Sequence, residues 1–78
     1  MRHAGRVMGL IVHLGHHRKA AGLTQAQLAE AVGVSRKTIN TVENGVFIPS
    51  TLLALRLASY LGQPVEALFE LQPASNPA

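Results

Sequence analysis

The 78-residue chain contains no cysteine and no tryptophan. Without thiols it can build neither a disulfide framework nor a thiolate zinc finger. Aspartate is also absent, and Glu30, Glu43, Glu66 and Glu70 are the entire acidic complement. Ser35, Ser50 and Ser59 therefore have no His–Asp arrangement, and the four carboxylates fall on separate helical surfaces without pairing as acid and base. No glycine-rich phosphate cradle is present. The expectation is a protein that is not an enzyme and carries no cofactor and no metal. Aromatic residues are limited to Phe47, Tyr60 and Phe69, too few and too scattered for a base-stacking platform on a basic face. No apolar run approaches the roughly 18 residues of a membrane span. Arg2 and Arg6 precede the apolar run from Val7 to Val12 in the charge order of a signal peptide. The run is short, His13 follows it, and no small-residue cleavage site comes next. A cytoplasmic protein without membrane contact is expected, which the lack of cysteine also suits.

What the chain does have is 47% apolar residues, only 14% charged ones, and seven Lys+Arg against four Glu, for a net charge of +3. This is too apolar for general disorder and large enough for one small domain. The mild basic excess permits an anionic partner. Gly5, Gly9 and Gly15 each lower helix propensity by roughly 1 kcal/mol relative to Ala. Residues 1–8 are accordingly expected to be a flexible segment and residues 9–71 the folded domain. The tail 72–78, polar and carrying Pro73 and Pro77, is expected to be disordered.

Punctuation divides the domain. Gly22, Gly33, Gly45 and Gly62 each follow an apolar, helix-forming stretch, where a helix would stop. Starts alternate with these stops. Thr24 with Gln27 makes a capping box, Ser35 and Ser50 can each cap a helix, and Pro64 suits the first turn of another. The pattern predicts five helices, over about 9–21, 25–32, 36–44, 51–61 and 65–70, and no strand. The fold class expected is all-α, a compact five-helix bundle. Leu28, Ala29 and Val32 form one inward stripe on the second helix, and Ile39 and Val42 another on the third. Gly33 and Val34 make a turn too short for antiparallel packing, so the two helices must cross steeply as a helix-turn-helix.

With Ile39 and Val42 inside, the third helix offers Arg36, Lys37, Asn40 and Thr41 to solvent, with Thr38 at the margin. Arg can bond bidentately to guanine and Asn to adenine, while Thr can meet a base edge or a thymine methyl. Two basic residues at a helix N-terminus oppose the macrodipole. They make sense if a polyanion approaches that end, and double-stranded DNA is the partner expected.

The fourth helix is apolar over roughly 220° of its circumference, counting about 100° per residue. Ala54, Leu57, Ala58 and Leu61 form the central stripe, Leu53 and Tyr60 extend it on one side and Leu55 on the other. One small core does not absorb that arc, so a homodimer through Leu52, Leu55, Phe69 and Leu71 is expected. A two-fold dimer would set two reading helices about 34 Å apart, one turn of DNA. Among His13, His16 and His17, imidazoles at i and i+4 share a helix face, but a metal site usually needs three or four ligands and no cysteine or neighbouring carboxylate completes one. His17 is expected to be partly buried.

The stretch Arg18-Lys19-Ala20-Ala21-Gly22-Leu23-Thr24-Gln25-Ala26-Gln27-Leu28-Ala29, continuing through Gly33-Val34-Ser35-Arg36-Lys37-Thr38-Ile39-Asn40-Thr41-Val42-Glu43-Asn44-Gly45, resembles the Cro/repressor-type (XRE-like) helix-turn-helix family. The likeness extends through Pro49-Ser50, Leu57-Ala58, Leu61-Gly62 and Glu66-Ala67-Leu68-Phe69. It implies a lambda-repressor-like DNA-binding domain of the kind found in small stand-alone bacterial transcriptional regulators. It further implies that Arg36, Lys37, Asn40 and Thr41 read bases, and that Gln25, Ser35, Thr38 and Asn44 bind phosphate, with Gln25 also bracing the reading helix. Arg18 and Glu43 match a structural ion pair between the first and third helices. The function implied is a sequence-specific repressor acting as a dimer on an inverted-repeat operator. The alternative is an antitoxin-like module that binds a protein partner and uses DNA binding for autoregulation. Three features depart from the family pattern. His17 stands where an aliphatic residue is usual, Val46-Phe47-Ile48 is unusually apolar, and Lys37 and Thr41 occupy variable positions.

Overall fold

Short polar side chains and positive-φ glycines set the helix limits. The computed structural model describes residues 6, 7 and 9–73. Its elements run β1 (Arg6–Val7), β2 (Leu10–Val12), α1 (Leu14–Ala20), α2 (Gln25–Val32), α3 (Arg36–Glu43), α4 (Thr51–Leu61), α5 (Val65–Leu68) and β3 (Phe69–Leu71). Thr24 Oγ1 accepts from the Gln27 amide at 3.0 Å, and Gln27 Oε1 accepts from the Thr24 amide at 2.9 Å, so the capping box is closed in both directions. Ser35 and Ser50 cap α3 and α4 through the amides of Thr38 and Leu53. Gly33 ends α2 at φ 81°, a left-handed conformation that lets the chain turn at once into α3.

The five helices are joined by a small sheet that the sequence reading lacks. The helix expected over 9–21 begins only at Leu14, and the helix expected over 65–70 stops at Leu68. The residues released, together with Arg6–Val7 and Leu71, form the antiparallel order β1-β2-β3, with Leu10 opposite Leu71, Ile11 opposite Glu70 and Val12 opposite Phe69. Ile11 and Val12 are β-branched and suit a strand. Gly9, at φ 81°, turns the chain between β1 and β2. His13 then donates its backbone N–H to Leu68 O at 2.8 Å, tying the start of α1 to the end of α5. Of the expected flexible segment 1–8, Arg6 and Val7 pair with Ile11 and Leu10. The rest of that segment, and residues 74–78 of the expected tail, lie outside the described residues.

One core serves every layer. Val12 of β2, Leu14 of α1, Leu28 of α2, Ile39 and Val42 of α3, Leu57 of α4 and Leu68 of α5 are all fully buried. Each such side chain stabilises the fold by about 1.5–3 kcal/mol relative to exposure. On α4 the inward stripe is Leu53, Leu57 and Ala58, with Ala54 and Leu61 half-buried. It is therefore turned toward Leu53 relative to the stripe expected. Leu52, Leu55 and Tyr60 remain more than half exposed.

Candidate nucleic-acid interface

The interface starts from a charge that is not on the surface. Arg18 and Glu43 are both buried, and Arg18 Nε donates to Glu43 Oε2 at 2.6 Å while Nη2 donates to Oε1 at 3.2 Å. Nη1 of the same guanidinium donates to the carbonyl of Leu23 at 2.7 Å. One side chain thus fixes α1 against α3 and also holds the loop that leads into α2. A bidentate geometry of this kind compensates the desolvation of both charges.

Gly15 belongs to this arrangement. A Cβ at that position would lie 3.2 Å from Glu43 Oε1, so the glycine gives the carboxylate room against α1. In the sequence Gly15 reads only as a helix-weakening residue, because the contact it permits lies on a different helix.

Gln25 opens α2 beside the same carboxylate. Its Nε2 donates to Glu43 Oε1 at 2.9 Å and to Asn40 Oδ1 at 3.2 Å. Asn44 Nδ2 donates to the same Asn40 oxygen at 3.2 Å. Four of the expected site residues, Gln25, Asn40, Glu43 and Asn44, are therefore one hydrogen-bonded group, with Asn40 and Asn44 exposed at its outer edge. Both amide hydrogens of Gln25 are engaged inside the protein, so its side chain serves to brace α3.

A second polar group lies at the start of α3. Ser35 Oγ and Thr38 Oγ1 are 3.0 Å apart, and Thr41 Oγ1 donates to the Thr38 carbonyl at 3.0 Å. Thr38 and Thr41 are half-buried, whereas Ser35, Arg36 and Lys37 are exposed. Arg36 and Lys37 form no hydrogen bond or ion pair with the described residues, and their charges stand free at the N-terminal end of α3.

The four expected dimer residues do not line a single groove. Leu55 and Phe69 line a groove of about 270 Å³ with Leu10, Ile48, Pro49 and Val65. Leu71, 82% exposed, continues that side from the end of β3. Leu52 instead lines a neighbouring groove of about 280 Å³ with Val34, Thr38 and Phe47. Val46, Phe47 and Ile48, the apolar loop after α3, are exposed between the two helices they connect. His13 is hydrogen-bonded through Nε2 to Glu70 Oε1 at 2.8 Å, and the half-buried ring of His17 meets that of His16 edge-on at 5.2 Å. No helix among the described residues is long and apolar enough to cross a membrane.

Two capped helices joined by a glycine turn, the second with its basic end exposed, define a helix-turn-helix protein. Residues 16–68 match the helix-turn-helix family model. The chain belongs to this family, as a transcriptional regulator of the XRE-like type. It is 52% identical over 56 residues to an uncharacterised HTH-type transcriptional regulator of Methanothermobacter thermautotrophicus, covering 70% of this chain and 81% of that protein. It is 38% identical over 55 residues to the uncharacterised HTH-type transcriptional regulator YgzD of Bacillus subtilis, covering 70% and 83%. Among solved structures, the restriction-modification controller protein C.AhdI of Aeromonas hydrophila superposes with a TM-score of 0.66 at 33% identity, covering 69% of this chain and 82% of that one. The SOS-response repressor LexA of Eubacterium rectale superposes with a TM-score of 0.68 at 28% identity, covering 85% and 73%.

Proposed function

We propose that the protein is a sequence-specific, double-stranded-DNA-binding repressor that acts in the cytoplasm as a homodimer on an inverted-repeat operator. The observation that carries this reading is the free basic end of α3, where exposed Arg36 and Lys37 stand beside the exposed cap Ser35. An uncompensated cationic helix N-terminus is costly in isolation and favourable against phosphate and the guanine edge. Arg36, Lys37 and Thr41 read bases in this proposal. Ser35, Thr38 and Asn44 meet phosphate, and Gln25 contributes its backbone amide at the start of α2.

A second copy is seated on the groove formed by Leu55 and Phe69, with Leu71 alongside and Leu52 at the margin. The likeness to a restriction-modification controller protein and an SOS-response transcriptional repressor supports a role in regulating transcription. Selection of bound sequences from a random duplex pool, repeated at two salt concentrations, tests the reading. Enrichment of an inverted repeat is expected, and a steep salt slope without enrichment would leave only nonspecific binding. A monomer that recruits a different protein through the same apolar groove would instead favour the antitoxin-like reading.

A further inference from the structure

We infer that Asn40 contacts DNA as a donor only, its amide turned by the buried Glu43 carboxylate acting through Gln25, so that it recognises an acceptor atom and not the paired donor and acceptor of adenine. The inference rests on the DNA-binding reading above.

The orientation follows from hydrogen-bond chemistry. Glu43, paired with Arg18, offers only acceptors, so the group of Gln25 that faces it at 2.9 Å is the NH2. The second hydrogen of that NH2 points to Asn40, 3.2 Å away, and requires an oxygen there. Asn44 Nδ2 approaches the same atom at 3.2 Å. Turning the Asn40 amide over would set its NH2 against the NH2 of Gln25, which Glu43 holds in place. The carbonyl oxygen of an amide has two lone pairs, and both are occupied. Asn40 is nevertheless exposed, and what it has left for a ligand is its own NH2.

Bidentate recognition of adenine needs that oxygen to accept from N6 while the nitrogen donates to N7. Here the acceptor half is spent. The chemistry that remains is donation to a phosphate oxygen or to a purine acceptor such as guanine O6 or N7. A phosphate is favoured by the surroundings. A groove beside Asn44 is lined by exposed Lys19 and His16, and the one carboxylate bordering it, Glu43, is already answered by Arg18.

The test uses the full chain and the duplex it selects. Asn40→Ala is expected to bind that duplex about three- to tenfold more weakly, the scale of one hydrogen bond. Asn40→Asp keeps oxygens for Gln25 and Asn44 but removes the donor, and is expected to lose at least as much. A single methylphosphonate whose effect is not additive with Asn40→Ala identifies a phosphate partner. A single 7-deazaguanine with the same behaviour identifies a base partner, and either result supports the inference. Binding unchanged in Asn40→Ala or in Asn40→Asp overturns it. So does a loss that matches, and is not additive with, removal of the N6 amino group from one adenine. Failure of the parent protein to select any duplex is a separate result, which overturns the DNA-binding reading and this inference with it.

Discussion

A β-carbon on Gly15 would stand 3.2 Å from Oε1 of Glu43, an oxygen already held by Arg18 and Gln25. The glycine in α1 and the carboxylate in α3 thus define how closely those helices approach. Gly15→Ala gains about 1 kcal/mol of helix propensity. It also presses on a carboxylate that cannot move without loosening its hydrogen bonds, an overpacking cost of about 2 kcal/mol. The expected outcome is a net loss of about 1 kcal/mol, seen as a melting temperature lower by about 4–8 °C. A rise in melting temperature would show that Glu43 yields freely.

Arg18→Met alone leaves a buried carboxylate without its counter-charge and is expected to cost about 3–5 kcal/mol in urea unfolding. The double variant Arg18→Met with Glu43→Leu removes both charges and is expected to recover much of that loss. Additive costs in the two single variants and the double variant would mean that the pair is not coupled.

Thr24→Ala removes the side-chain half of the capping box at α2. A loss of about 1 kcal/mol is expected. Gln27→Ala removes only the reciprocal bond to the Thr24 amide and should lose no more than Thr24→Ala, both read in urea unfolding.

Arg36→Ala is expected to reduce discrimination at one base pair of each half-site by about 1–3 kcal/mol, while general affinity and its salt slope fall only slightly. The check is a competition binding measurement against single-base operator variants. An unchanged preference profile would remove Arg36 from the reading face.

Leu55 is 54% exposed, so Leu55→Glu is expected to change folding stability by no more than about 0.5 kcal/mol. It should nevertheless leave the chain monomeric in equilibrium sedimentation, where the proposed dimer is expected of the parent, and weaken operator binding. A dimer that survives this change would move the interface off the groove.

The parts of the fold legible in the sequence are those written in short range. Thr24 and Gln27 are three residues apart and close one box, and Gly33 needs only its own φ to end α2. The inward stripes of α2 and α3 follow from helical spacing. The sheet was illegible for the opposite reason. Leu10–Val12 finds its partner in Phe69–Leu71, and neither segment alternates for long enough to announce a strand. Resemblance supplied the Arg18–Glu43 pair. It did not supply the way Gln25 spends both its amide hydrogens within the protein, which depends on where three separate side chains end up.

The β2–β3 clasp joins side chains as distant in sequence as His13 and Glu70, 57 positions apart. Closing so long a loop is entropically expensive until the intervening helices have already docked. The α2–α3 unit, by contrast, is assembled from neighbouring residues around the short turn of Gly33, Val34 and Ser35. Loop-closure entropy therefore favours an order in which the α2–α3 unit consolidates first and the sheet zips last. The outcome expected on the way out is the reverse: strand amides exchanging with solvent through openings that leave α3 protected.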